Sequence, residues 1–230
     1  MPYENCLAVP ELVCVFEFSQ NRDWCNGHCV EWLTNSRGSF QVNKWLGDSC
    51  AGKAYKRTRS TVGSGVKYKP ADLTGEAAKR IANYQSCCLS NDAKAWSFLG
   101  VQMHSISEED VRGGMVAEAS LAATVLDFSP ALIGWNYDTS GLNLMARSDA
   151  ERRDTLKGRQ HQTALNVLEG NAGDSVVSFF DPNVAHFVVK EKDFAKFLAA
   201  YLADIRAIEE AKVSSSFDLV TISGVRRGIG

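Results

Sequence analysis

The chain has 230 residues, 45% of them apolar and 23% charged, which is the balance of a folded globular protein rather than a disordered one. Twenty-five Lys and Arg against 27 Asp and Glu leave a net charge of -2. That balance argues against a surface that tracks phosphates, so nucleic acid is not an expected partner. No stretch approaches the ~20 apolar residues that span a bilayer, and no obligate membrane contact is expected.

The first residues carry Glu4, Pro10 and Glu11 and lack a basic start, so a cleaved signal peptide is not expected. The seven cysteines are Cys6, Cys14, Cys25, Cys29, Cys50, Cys87 and Cys88, an odd set that speaks against a disulfide framework. Most read as small buried hydrophobes, leaving room for one nucleophile.

In chain order, Cys25 to Ser36 reads as a helix with Cys25, Cys29, Trp32 and Leu33 on one face. Ser49 to Pro70 reads as a basic loop rich in Gly, Ser and Thr, either simply solvated or facing an acidic partner. Thr74 caps a second expected helix that ends at Cys88. Ser105 or Ser107, followed by Glu108, Glu109 and Asp110, is expected to open a third helix running towards Leu126.

Strands follow. Ala131 to Tyr137, Gly141 to Arg147, Gln160 to Glu169, Ser175 to Phe180 and Ala185 to Lys190 are expected as β-structure. Asp193 to Ala211 is amphipathic, with Phe194, Phe197, Leu198, Tyr201, Leu202 and Ile205 on its apolar face. Phe217 to Ser223 is expected to return as a last strand. Helices first and an antiparallel sheet afterwards is the α+β pattern, here as a single domain over 1–230 with a helical part at about 20–128 and a sheet part at about 129–230.

The chemistry is read from the segment Gln20 to Leu33. A cysteine in the first turn of a helix meets the positive end of the helix dipole, which favours the thiolate. Cys25 takes that place if the helix starts there, and Cys29 takes it if Asn26 is the cap. Gln20, five residues before Cys25, could pair its amide N–H with the Cys25 backbone N–H as an oxyanion hole. Among the four histidines, His28 reads as solvated and His104 carries no special signal. His186 reads as an ordinary residue of the next strand. That leaves His161 as the candidate base. A hairpin folded about Asn171–Ala172 sets His161 opposite Pro182 and beside Asp181.

Cys25, Gly27 and Trp32-Leu33 together resemble the nucleophile helix of the YopT/AvrPphB family, papain-like cysteine proteases that bacteria deliver into host cells. Phe179-Phe180-Asp181-Pro182-Asn183 is similar to the family's Phe-Asp-Pro-Asn segment. The resemblance implies a papain-like α+β fold with Cys25 as nucleophile, His161 as general base, Asp181 as its orienting carboxylate and Gln20 as oxyanion donor. It further implies a host protein substrate, no cofactor or metal, and a virulence effector that reaches the host by a type III-like route without a cleaved signal; the sequence does not give the oligomeric state, for which a monomer is the expectation. Trp24 stands where the family has a small residue, and Val184-Ala185 replaces a glycine. Three other readings stay open. The same triad can deamidate or transfer an acyl group, Cys25 and Cys29 could join Cys87 and Cys88 at a zinc ion, or the chain could be a binding module without catalysis.

Overall fold

A computed structural model describes residues 5, 9, 12–18, 24–36, 67–68, 75–88, 96, 105–110, 118–137, 160–168, 175–213 and 217–228. The elements are β1 (Val13–Phe18), α1 (Cys25–Ser36), β2 (Lys67–Tyr68), α2 (Gly75–Cys88), β3 (Ser105–Asp110), α3 (Glu118–Leu126), β4 (Phe128–Tyr137), β5 (Gln160–Leu168), β6 (Val176–Asp181), β7 (Ala185–Lys190), α4 (Phe194–Val213) and β8 (Phe217–Arg226), with a 3-10 turn at Glu191–Asp193 before α4. Thr74, His104, Gln20, most of the basic loop and the expected strand at Gly141 to Arg147 lie outside the described residues.

The described strands form one eight-stranded sheet in the order β2-β1-β7-β6-β5-β4-β8-β3. Every pairing is antiparallel except β1 with β2. The fold is thus α+β, with helices ahead of most of the sheet and a late helix after β7.

Alternation along the strands divides the sheet into two working faces. Val177 and Phe179 of β6, Phe187 and Val189 of β7 and Leu165 of β5 join Phe194, Phe197, Leu198, Tyr201, Leu202 and Ile205 of α4 in one buried cluster. That is the apolar face expected for the late helix, and its aromatic rings interlock: Phe179 meets Phe197 edge-on at 5.3 Å and Tyr201 edge-on at 4.9 Å. The alternate residues serve α1. Trp32 stacks on Phe180 at 5.5 Å and sets its edge to His186 at 5.3 Å.

Two expectations need correction. The segment from Ser105 is not a helix start but strand β3, paired along its whole length with β8, and the helix begins only at Glu118. Glu108, Glu109 and Asp110 resemble the acidic first turn of a helix, but here the β8 edge satisfies the backbone and overrides the local preference. Val13–Phe18, ahead of the expected helical part, forms β1 against β7.

The hairpin register shifts as well. Ala164 pairs with Phe180 and Leu165 with Phe179, one residue from the alignment that placed His161 opposite Pro182. Continued to the rim, the observed register sets His161 opposite Asn183 and brings Asp181 onto the same side of the pleat as His161. A one-residue slip exchanges the two faces, so this shift is what lets ring and carboxylate meet.

Candidate active site

Helix α1 starts where a nucleophile helix would need it to. The His28 N–H donates to the Trp24 carbonyl at 2.9 Å. Trp24 is therefore the residue flanking the helix, and Cys25 is its first helical residue. Asn26 is not the cap, so the alternative placing Cys29 in the first turn fails.

The tip is clamped against α2. The Gly27 N–H, one of the donors that a helix start leaves without an internal partner, donates to Gln85 Oε1 at 2.8 Å. A Cβ on Gly27 would lie 2.3 Å from the Ile81 carbonyl oxygen. Glycine here allows the close approach of two helices. One turn on, the buried Glu31 carboxylate receives the Arg80 guanidinium at 2.5 and 3.0 Å, tying the same pair of helices again.

The two thiols of α1 have different fates. Cys29 is fully buried, and its Sγ–H donates to the Gln162 carbonyl at 3.3 Å. Burial pushes its pKa well up, and the charges of Cys25 and Asp181 push it further the same way. A thiol held protonated is a poor nucleophile. Cys25 lies at the helix tip, near enough to His161 to act on the charge of its ring.

His161 stands on β5 opposite Trp135 of β4, near the rim of the sheet. Its Nε2–H donates to Asp181 Oδ1 at 2.9 Å. With that nitrogen committed, Nδ1 is the other ring nitrogen, and the Asn183 side-chain amide lies 3.3 Å from it. Burial works to lower the pKa of the ring. The charge and hydrogen bond of Asp181 outweigh it, aided by the hydrogen bond and charge of Cys25, and raise it to about 10. An imidazole in that state is ready to hold a proton beside a thiolate.

Asp181 ends β6 with its side chain wholly buried. Its Oδ1 also accepts the Asn183 N–H at 2.7 Å, and its carbonyl accepts the Val184 N–H at 3.1 Å. The Asp181-Pro182-Asn183 segment is thus both a tight turn and the mount of a carboxylate: an aspartate that accepts from the backbone two residues on is turn chemistry, and the same bond aims Oδ1 at the histidine. The other oxygen, Oδ2, accepts the Tyr201 hydroxyl from α4 at 2.7 Å.

The structure therefore brings together Cys25, His161 and Asp181 from α1, β5 and β6. Gln20 lies outside the described residues. His28, read as solvated, is instead buried, and burial lowers its pKa to about 4. His186 is buried on β7, 2.6 Å from the Ser178 hydroxyl, and burial lowers its pKa to about 3. Among the described residues no group of three His, Cys, Asp or Glu could hold a metal ion, and the side chains of Cys87 and Cys88 lie outside that description. Also among the described residues, no helix is long and apolar enough to cross a membrane.

Sequence reasoning missed three contributors: Tyr201, Asn183 and Gln85. Tyr201 read as one more apolar-face residue, yet a buried tyrosine carries a hydroxyl that must find a partner. That requirement was the available signal. Nothing local marked Gln85, because its partner is 58 positions away.

No protein-family model matches the chain, and no curated protein matches it either. Among solved structures, the Pseudomonas avirulence protein AvrPphB is similar at 14% identity with a TM-score of 0.48, over 89% of this chain and 95% of that one.

Proposed function

We propose that the chain is a papain-like cysteine protease acting through Cys25, His161 and Asp181. The observation that carries the reading is the buried His161–Asp181 pair, 2.9 Å apart at the sheet rim, with the helix-tip thiol of Cys25 near enough to act on the same ring. This chain of sulfur, ring and acid is what nucleophilic acyl transfer requires: a nucleophile, a base within reach, and a third group that orients the base.

In this mechanism the Cys25 thiolate attacks the scissile carbonyl carbon. The Cys25–carbon bond forms, and the carbonyl electron pair moves onto oxygen. The Cys25 N–H at the head of α1, with Gln20 as its proposed partner, stabilises that oxyanion. His161, already protonated, gives its Nδ1 proton to the amide nitrogen as the C–N bond breaks, and the amine leaves. The ring then takes a proton from water, the hydroxide attacks the thioester, and Cys25 departs as thiolate. Asp181 holds the Nε2–H throughout and so keeps the other nitrogen directed at the reaction.

The substrate class we propose is a host protein. The resemblance of the Cys25 and Asp181 segments to bacterial effector proteases supports that reading and with it delivery into a host cell, the chain working as a monomer without a cofactor.

The test begins with the two thiols of α1. Cys25→Ala is expected to abolish cleavage of an unfolded protein substrate and labelling by a thiol-directed irreversible inhibitor, with little change in Tm. Cys29→Ala is expected to retain both while losing about 1–2 kcal/mol of stability from the vacated core space. Mass spectrometry of the treated substrate gives two fragments for a protease. A gain of about one dalton without cleavage would assign the site to deamidation instead. Full activity in Cys25→Ala refutes the nucleophile assignment.

A further inference from the structure

We propose that Tyr201 is a positioning residue of this site, its phenol fixing the Asp181 carboxylate in the one rotation that serves His161. The inference rests on the Cys25–His161–Asp181 reading and extends the triad by a fourth, buried group on a different element.

The geometry is specific. Asp181 is wholly buried, and each of its oxygens has a distinct task. Oδ1 accepts His161 Nε2–H and Asn183 N–H, at 2.9 and 2.7 Å. Oδ2 accepts the Tyr201 hydroxyl, at 2.7 Å. Without that hydroxyl, Oδ2 would be an ionised oxygen facing the apolar cluster of Phe179, Phe197 and Trp135, whose rings lie 4.9, 6.0 and 5.7 Å from that of Tyr201. An ionised oxygen without a donor in such surroundings is strongly disfavoured. The carboxylate would relieve it by turning about Cβ–Cγ, which loosens its hold on the imidazolium.

Tyr201 is itself immovable. It is buried in the middle of α4, with its ring stacked on Phe197 and edge-on to Phe179. The late helix, whose other work is to cover the sheet, thereby reaches the catalytic rim through one oxygen atom. Among the described residues, the titratable groups that bear on Asp181 are His161 from β5, Tyr201 from α4 and the Cys29 thiol from α1, with Cys29 held protonated. Of these only Tyr201 touches Oδ2, so removing its hydroxyl alters the orientation of the acid without altering the charge of the site.

The experiment compares Tyr201→Phe with Phe194→Leu, a change in the same aromatic cluster whose ring packs on Phe179 and Phe197 and which leaves the hydroxyl in place. The rate of Cys25 alkylation by iodoacetamide is followed from pH 4 to 9, alongside kcat and KM on a peptide substrate and Tm. Tyr201→Phe is expected to lower kcat about 10-fold with KM unchanged, because the interaction it removes serves the reacting groups rather than substrate binding. Its alkylation curve moves to higher pH, so that the rate at pH 6 falls about 5-fold as the thiolate loses part of its imidazolium partner. Phe194→Leu lowers Tm and leaves the alkylation curve in place. If the Tyr201→Phe curve lies on that of the wild type or moves to lower pH, Tyr201 is a packing residue and the inference fails. If the wild-type thiol itself alkylates only as fast as a free thiol, with its midpoint above about pH 8, the failure belongs to the thiolate–imidazolium reading instead.

Discussion

Replacing Asp181 by asparagine keeps its shape and removes its charge, which makes it a demanding test of the site. The ring of His161 is raised from an ordinary 6.5 to about 10, and burial opposes that rise rather than causing it. The charge and hydrogen bond of Asp181 are the largest contributions in the raising direction. The elevation is worth roughly 5 kcal/mol as a coupling between the protonated ring and its surroundings. Asparagine deletes the leading part of that coupling and leaves burial to act in the opposite sense. The protonated fraction of the ring at pH 7 then falls from nearly all to below about a quarter, as for a pKa at or under 6.5. Geometry compounds the loss. An asparagine amide turned towards Nε2–H sets donor against donor, so the ring moves its proton to Nδ1 and presents N–H where the sulfur needs an acceptor. Alkylation of Cys25 at pH 6 is expected to slow at least 10-fold, and kcat/KM to fall about 100- to 10,000-fold. Thiol alkylation across pH 4 to 9 reads the first effect without any substrate. An alkylation curve unchanged in Asp181→Asn, with kcat within twofold of wild type, would refute the claim that this carboxylate sustains the ion pair.

The remaining predictions concern how the fold supports the site. Gly27→Ala is expected to destabilise by about 1–3 kcal/mol, since the new methyl would lie 2.3 Å from the backbone oxygen of Ile81, and chemical denaturation measures it. Because the same change displaces the helix tip, kcat/KM should fall with it, and unchanged stability would show that the two helices separate freely. The histidines set opposite pH dependences. His28 and His186 are lowered to about 4 and about 3, so the unfolded chain takes up protons below 6.5 that the folded one refuses, and stability drops as pH falls from 6.5 towards 3. His161 is raised, so its contribution is complete below 6.5 and fades as pH climbs through about 10. Urea unfolding at pH 7 and pH 5 is expected to differ by about 2 kcal/mol for each of the two lowered histidines. His186→Gln should flatten that difference by half, and an unaltered slope would show that the ring is not held neutral.

Much of this architecture is written locally. The helix at Cys25–Ser36, the strand at Ala185–Lys190 and the apolar face of the late helix follow from periodicity alone, because burial of one face imposes its repeat on the sequence. Cys25 and the Asp181-Pro182-Asn183 turn were legible for a related reason: a helix start and a strand end are places where side chains must answer unpaired backbone groups. Ser105 to Asp110 misled because its acidic residues fit a helix start, and only pairing with β8 decides between the two.

What no local pattern contains is distance across the fold. Cys25 and Cys29 differ in their surroundings: the Cys29 thiol lies against the Gln162 carbonyl, while Cys25, at the helix tip, lies near His161. The hairpin register was settled by which face of β6 the late helix covers, and a single residue of slip would have turned Asp181 away. Tyr201 and Gln85 became part of the site only through contacts made 20 and 58 positions away. The sequence by itself determined which groups could do chemistry and on which elements they sit. The packed structure alone decided which of them meet, because convergence depends on how faces are buried against one another, and that is a property of the whole chain.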